Sequence, residues 1–231
     1  MSDIKISSYL DHAVLKPQMS EKEVVDAIKL GIDYKVKTVC VMPCYIDLAL
    51  SMCKDTETEV SCVVGFPHGV VLSEIKAEEA KAYIQKGIHE IDMVVNYSYI
   101  RSGEWELVKK DIESVTTLTR PVNVVLKVIL ETAMLTPDEI VKATETAIEA
   151  KADFVKTSTG FNGSGATQEA VKIMLETSNG RIKVKASGGI REAIKAKMFI
   201  DMGCHRLGNS FSSTPVICDG IAHEAENEGD Y

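Results

Sequence analysis

The chain has 231 residues, is 45% hydrophobic and carries a formal net charge of −8, enough apolar material for a sizeable core in one large domain or two small ones. The negative balance leaves no basic stripe to displace counterions from nucleic acid, which excludes a polyanion partner but not a small phosphorylated ligand. Asp3, Lys5, Asp11 and Lys16 interrupt the N-terminal segment and no apolar run approaches membrane-spanning length; neither an export signal nor a membrane span is expected, and the chain reads as cytoplasmic.

Apolar, β-branched runs, taken in chain order, predict strands at 7–11, 37–42, 60–65, 89–95, 122–129, 153–157, 182–186 and 204–208. Segments of helical period lie between them at 21–34, 72–86, 104–118, 137–150, 168–178 and 191–201, and a final helix is expected after 208–210. Ser20 ahead of Glu23, and Thr136 ahead of Pro137 and Glu139, read as N-caps, while Gly31, Gly87 and Gly203 read as helix ends. Near-continuous Val and Ile runs point to strands covered on both faces, as in a parallel sheet wrapped by helices. Eight alternations favour a closed (β/α)8 TIM barrel, and no Gly-x-Gly-x-x-Gly follows the first strand to argue for an open dinucleotide fold. Without a linker or composition break, residues 1–231 read as one domain, with 224–231 a mobile acidic tail.

Chemistry in such a barrel sits at the C-terminal ends of the strands. Lys156 closes Phe154-Val155-Lys156 ahead of Thr157-Ser158-Thr159-Gly160, and Lys185 follows Val184 ahead of Ala186-Ser187-Gly188-Gly189. On neighbouring strands the two amines would meet. Ammonium groups about 5 Å apart repel by roughly 3 kcal/mol at an effective dielectric near 20, enough to lower one pKa by about two units. Either lysine would then be a nucleophile for a carbonyl. Lys127 is embedded in Val124-Val125-Leu126-Lys127-Val128-Ile129 and Asp92 in Glu90-Ile91-Asp92-Met93-Val94; each needs a counter-charge, and each is the natural partner of the other. Asp11 stands at the end of the first predicted strand. A second function is offered by Gly160 with Gly163 and Gly165, by Gly188-Gly189 ahead of a helix, and by Gly208-Asn209-Ser210, with Arg191 nearby. Backbone N–H groups in such turns after the last strands make a phosphate site.

The six cysteines at 40, 44, 53, 62, 204 and 218 form no Cys-x-x-Cys pair and no zinc-spaced cluster with the histidines, so reduced thiols and no metal are expected. Cys40, near a predicted strand end, is a candidate pocket-lining residue. His12 reads as a structural strand-end residue rather than a catalytic one, and Trp105 as a residue packing at a helix start.

The motifs Leu10-Asp11-His12-Ala13-Val14-Leu15-Lys16-Pro17, Val64-Gly65-Phe66-Pro67, Glu90-Ile91-Asp92, Lys127-Val128-Ile129-Leu130-Glu131-Thr132, Lys156-Thr157-Ser158-Thr159-Gly160-Phe161 and Lys185-Ala186-Ser187-Gly188-Gly189-Ile190-Arg191 resemble the deoxyribose-phosphate aldolase family. They run in order over almost the whole chain. The resemblance implies a (β/α)8 barrel and reversible cleavage of 2-deoxy-D-ribose 5-phosphate to D-glyceraldehyde 3-phosphate and acetaldehyde, without metal or organic cofactor. By that likeness Lys156 forms the Schiff base and Lys185 is the neighbouring ammonium. Asp92 is the acid/base acting through a water, and Lys127 and Asp11 support the network. Thr159, Gly160, Gly188, Gly189 and Ser210 form the phosphate- and substrate-binding set, and a homodimer or homotetramer is implied. Ala13 stands where the family often carries a hydroxyl residue and Asn209 where a small Thr or Ala is common, so altered kinetic constants are expected. Tyr231 is a candidate auxiliary acid/base, beside the reading of a frayed terminus. Two other readings are an aldolase for another phosphorylated sugar and a catalytically silent barrel that binds sugar phosphates; intact Lys156, Lys185 and Asp92 weigh against silence.

Overall fold

Alternation, rather than uniform apolarity, governs the strands of the computed structural model, which describes residues 5–220. Ile91 and Met93 of the fourth strand join the main hydrophobic core under the helices, while Glu90 and Asp92 are buried among charged groups from other strands. The same division holds for Leu126 and Val128 against Lys127, for Val155 against Lys156 and for Leu207 against Arg206. Side chains alternate across a strand, so one set packs outward on the helices and the other fills the barrel with ionised groups.

Eight parallel strands close in sequence order: β1 (Leu10–Val14), β2 (Thr38–Val41), β3 (Glu59–Val64), β4 (Glu90–Val94), β5 (Val125–Ile129), β6 (Phe154–Lys156), β7 (Lys183–Ser187) and β8 (Arg206–Ser210). The barrel expected from the sequence is therefore present. Around it lie α1 (Glu21–Asp33), α2 (Ile46–Cys53), α3 (Ser73–Lys86), α4 (Tyr97–Arg101), α5 (Trp105–Thr119), α6 (Pro137–Glu149), α7 (Gln168–Ser178), α8 (Ala193–Asp201) and α9 (Thr214–Asp219). None of the helices among the described residues is long and apolar enough to cross a membrane. Helices α2 and α4 were not among the predicted segments. Ile46-Asp47-Leu48-Ala49-Leu50-Ser51-Met52-Cys53 is too uniformly apolar to display a polar face, and five residues of α4 are too few to display a period.

Three local readings change. The first strand begins at Leu10 because residues 6–9 form a 3-10 turn, which moves Asp11 from the end of the strand to its interior. β8 extends through Ser210, so Gly208, Asn209 and Ser210 lie within the strand and not after it. Gly31 does not end a helix; it is inside α1, where a Cβ would stand 2.7 Å from Val39 Cγ1 and 3.2 Å from His12 Cδ2, so its bareness lets the helix lie against β1 and β2. Gly87 does terminate α3 in a left-handed conformation, and Trp105 opens α5 against the core. The acidic tail and Tyr231 lie outside the described residues.

Behind β4, the buried Lys76 amine of α3 donates to the Val94 carbonyl at 2.9 Å and to Asp111 of α5 at 2.6 Å. Asp111 in turn accepts the Asn96 N–H, so one ion pair anchors the C-terminal end of the strand that carries Asp92.

Both anticipated capping boxes form, Ser20 with Glu23 on α1 and Thr136 with Glu139 on α6. Ser20→Ala and Thr136→Ala should each lower stability by about 1 kcal/mol. Because the caps share no partner, the double variant should lose about 2 kcal/mol, read as a shift in urea midpoint at constant m-value.

Candidate active site

Seven ionisable side chains from β1, β4, β5, β6, β7 and β8 meet inside the barrel. Lys127 is central: its Nζ lies 2.5 Å from Glu90, 2.7 Å from Asp92 Oδ1 and 3.2 Å from Asp11. Below it, Arg206 forks onto Glu90 at 2.9 and 3.1 Å and reaches Asp11 at 2.6 Å. Thr38 completes the Asp11 shell, donating at 2.8 Å. Above it, Asp92 Oδ2 accepts from Lys156 at 2.8 Å and from Lys185 at 2.7 Å, which keeps the two nitrogens within about 5.5 Å of each other. The pairing anticipated between Asp92 and Lys127 is thus present, as is the meeting of Lys156 and Lys185, which are register partners across β6 and β7.

Lys156 and Lys185 are held differently. Lys185 is also bound by Asp11 at 2.5 Å, whereas Asp92 is the carboxylate bonded to Lys156 at the final residue of β6. Burial pushes the Lys185 amine below its ordinary pKa, aided by Lys156 and Lys127 and opposed by Asp11 and Asp92. Burial pushes Asp92 up, but Lys127, Lys156 and Lys185 together overcome it and hold the carboxyl well below the usual range. Burial likewise opposes the charge on Lys127, and Asp11, Asp92 and Glu90 reverse it. Four cations against three carboxylates leave the contacting group one positive charge in excess, and loss of one amine proton balances it.

A small cleft lies over the ends of β7 and β8 and the loop after β6. Gly160, Gly188, Gly189 and Ser210 line it, joined by Gly163, Gly165, Arg191, Gly208 and Asn209. Gly160, Gly188 and Gly189 all have positive φ, between 67° and 89°, which a residue with a Cβ adopts only with strain. A Cβ on Gly165 would stand 2.6 Å from the Gly188 carbonyl carbon and oxygen, so the loops after β6 and β7 touch backbone to backbone. Gly208 joins cleft to network: its Cβ would lie 3.2 Å from Lys185 Cε and 2.5 Å from Ser187 Oγ.

Two expected binding residues lie outside the lining of this cleft. Thr159 is fully buried, and its N–H and hydroxyl are both committed to Glu131, at 3.2 and 2.5 Å. Cys40 packs in a small apolar cluster with Ala13, Leu15 and Val63, within the field of Asp92, Lys156 and Lys185, and burial raises its thiol pKa. His12 is buried on the outward face of β1 with both ring nitrogens occupied.

The comparisons agree with this geometry. Residues 5–212 match the model of the DeoC/LacD family aldolases. The chain belongs to this aldolase family. A deoxyribose-phosphate aldolase of Thermoanaerobacter sp. (strain X514) is 45% identical over 208 residues, 90% of this chain and 93% of the relative. One from Clostridium novyi (strain NT) is 42% identical over 98% of this chain and 100% of its own length. The tetrameric deoxyribose phosphate aldolase from Aeropyrum pernix superposes with a TM-score of 0.85 at 27% identity, covering 92% of this chain and 89% of that one.

For this DeoC/LacD aldolase, sequence reasoning missed Glu90, Arg206 and Glu131. Glu90 and Arg206 carried a signal: each is a charge next to apolar strand residues, as Asp92 and Lys127 are. Glu131 carried little. It is fully buried in a left-handed conformation, φ 57°, and its carboxylate gathers Thr159 and the Asn162 amide; burial raises its pKa against those hydrogen bonds.

Removing the centre of the network should be costly. Lys127→Met removes the one ammonium that touches Glu90, Asp92 and Asp11 together and should destabilise the protein by about 3–5 kcal/mol in urea unfolding. For wild type, Asp11, Glu90 and Asp92 titrate lower folded than unfolded. Their contribution is therefore complete above the unfolded carboxylate range, near pH 4, and lost as pH falls below it. The urea midpoint should hold between pH 7 and 5 and drop steeply from about pH 4 downward.

Proposed function

We propose that this aldolase reversibly cleaves 2-deoxy-D-ribose 5-phosphate to D-glyceraldehyde 3-phosphate and acetaldehyde through a Schiff base on Lys156. What carries the reading is one contact set: two lysines on a single Asp92 oxygen, at 2.8 and 2.7 Å, beside a glycine-lined cleft. The activity named for the relatives at 45% and 42% identity supports the choice of substrate.

Lys156 is the better nucleophile of the two, because freeing its amine breaks the bond to Asp92, whereas freeing Lys185 breaks bonds to both Asp11 and Asp92. The neutral amine adds to the C1 aldehyde of the open-chain sugar, and loss of water gives the iminium. As the C2–C3 bond breaks, its electron pair moves into the iminium to form an enamine, and the C3 hydroxyl proton passes to Asp92 through a water, releasing glyceraldehyde 3-phosphate. The same acid returns a proton to C2, and hydrolysis of the resulting iminium frees acetaldehyde and the amine. Lys185 stays charged and keeps Asp92 ionised between turnovers. Lys127, Asp11, Glu90 and Arg206 hold Asp92 in place from below. The glycine N–H groups and Ser210 take the phosphate, and Glu131 holds the Thr159 turn that leads into them. A dimer or tetramer and a cytoplasmic location belong to the same reading, the first in line with the tetrameric Aeropyrum relative.

Borohydride reduction in the presence of acetaldehyde should leave an N-ethyl group on Lys156, located by peptide mass spectrometry. Lys156→Ala should abolish both labelling and turnover of 2-deoxyribose 5-phosphate. Asp92→Asn should lower kcat by about 10²–10⁴-fold. A fully active Lys156→Ala enzyme would sink the mechanism, and phosphate binding without labelling would favour a silent sugar-phosphate-binding barrel.

A further inference from the structure

His12 of β1 stands opposite Asn209 of β8 in the strand register, on the side of the barrel wall that faces the helices. Its Nε2 is 2.9 Å from the Ala27 carbonyl oxygen on α1, and its Nδ1 is 2.8 Å from Thr214 Oγ1. A carbonyl can only accept, so Nε2 carries the proton. Burial keeps the ring neutral, lowering its pKa to about 4, so Nδ1 is an acceptor and the Thr214 hydroxyl donates to it. Thr214 Oγ1 is then left to accept, and it takes Asn209 Nδ2 at 2.8 Å. The amide also donates to the Ser210 carbonyl at 2.9 Å. Every hydrogen bond in the series has one direction, fixed at its far end by a helix carbonyl.

The near end of the series is the cleft. Asn209, Ser210 and Ser213 line it, and Asn209 Oδ1 is buried without a hydrogen-bond partner among the described residues. Because a peptide unit is planar with its C=O and N–H on opposite sides, holding the Ser210 carbonyl also turns the Phe211 N–H away from the Asn209 amide. Phe211 opens the 3-10 turn Phe211–Ser213 that borders the cleft.

We propose that His12 and Thr214 are positioning residues that fix Asn209 and the Ser210–Phe211 peptide for the phosphate group of the substrate. The proposal rests on the aldolase reading for the sugar it names, but not for phosphate binding itself. It also assigns a use to Asn209: the amide bridges the cleft wall to a histidine on the outward face of β1.

Thr214→Val removes donor and acceptor together at nearly constant shape, and Thr214→Ser keeps both. In Thr214→Val, the KM for 2-deoxyribose 5-phosphate and the calorimetric Kd for inorganic phosphate should rise about tenfold, the equivalent of one lost hydrogen bond. The kcat/KM for unphosphorylated 2-deoxyribose should stay within about twofold, and Thr214→Ser should restore phosphate affinity. His12→Gln is the second variant should Thr214→Val fail to fold. Unchanged phosphate affinity in the folded variants overturns the proposal, as does equal loss on both sugars, which marks a general structural role. Inorganic phosphate that binds wild type but not Thr214→Val upholds it even if the sugar phosphate is not turned over, and that failure would fall on the substrate reading alone. Wild type that binds no phosphate overturns it.

Discussion

The rest of the molecule depends on the ion network inside the barrel. A lone ammonium or carboxylate moved out of water into a protein interior costs many kcal/mol and would instead neutralise. Here Lys127, Lys185, Asp11 and Asp92 are almost wholly buried and remain charged in direct contact with opposite charges. The helices and outward strand faces supply the hydrophobic stabilisation, and the barrel interior spends part of it on holding charges in fixed positions. Arg206 against Glu90 and Asp11 closes the lower end of the network, leaving the two lysines of β6 and β7 at the upper end, where the strands finish.

The imbalance of that network is chemically useful. Four cations meet three carboxylates there, and of the two upper lysines Lys156 contacts one carboxylate where Lys185 contacts two. The glycine-lined cleft is built by other means. Its walls are glycines in positive-φ turns and short hydroxyl side chains, and bare backbone brings N–H groups closer to an anion than long side chains would. Gly208 keeps the two halves adjacent, since any side chain there would strike Ser187 and Lys185.

Much of the architecture was legible in the chain. The eight strands and both helix N-caps are legible in local period and residue type, and Lys156, Lys185, Asp92 and Lys127 meet as their strand positions imply. The errors share a cause. Ile6, Tyr9 and Leu10 look like strand residues, which puts Asp11 at a strand end, although 6–9 is a 3-10 turn packed on the core. A hydroxyl in a glycine-rich turn looks available to a ligand, and only the fold reveals that Glu131 from the neighbouring loop holds that of Thr159. Gly31 was taken for punctuation because helix packing against His12 and Val39 leaves no mark on the helix itself.

The sequence by itself determined the element order, the strand positions of the charges and the glycine-rich turns after the last strands, because these follow from local period, turn chemistry and residue type. Tertiary structure alone decided which charges touch. Lys127 meets Glu90 and Asp11, and Arg206 meets both, through barrel closure that joins β8 to β1. It also decided that His12 reaches the cleft wall through Thr214 and Asn209, more than 190 positions along the chain. Such contacts depend on register and on the direction each side chain takes from the pleat, and a single slip of one residue would turn every charge from the barrel interior toward the helices.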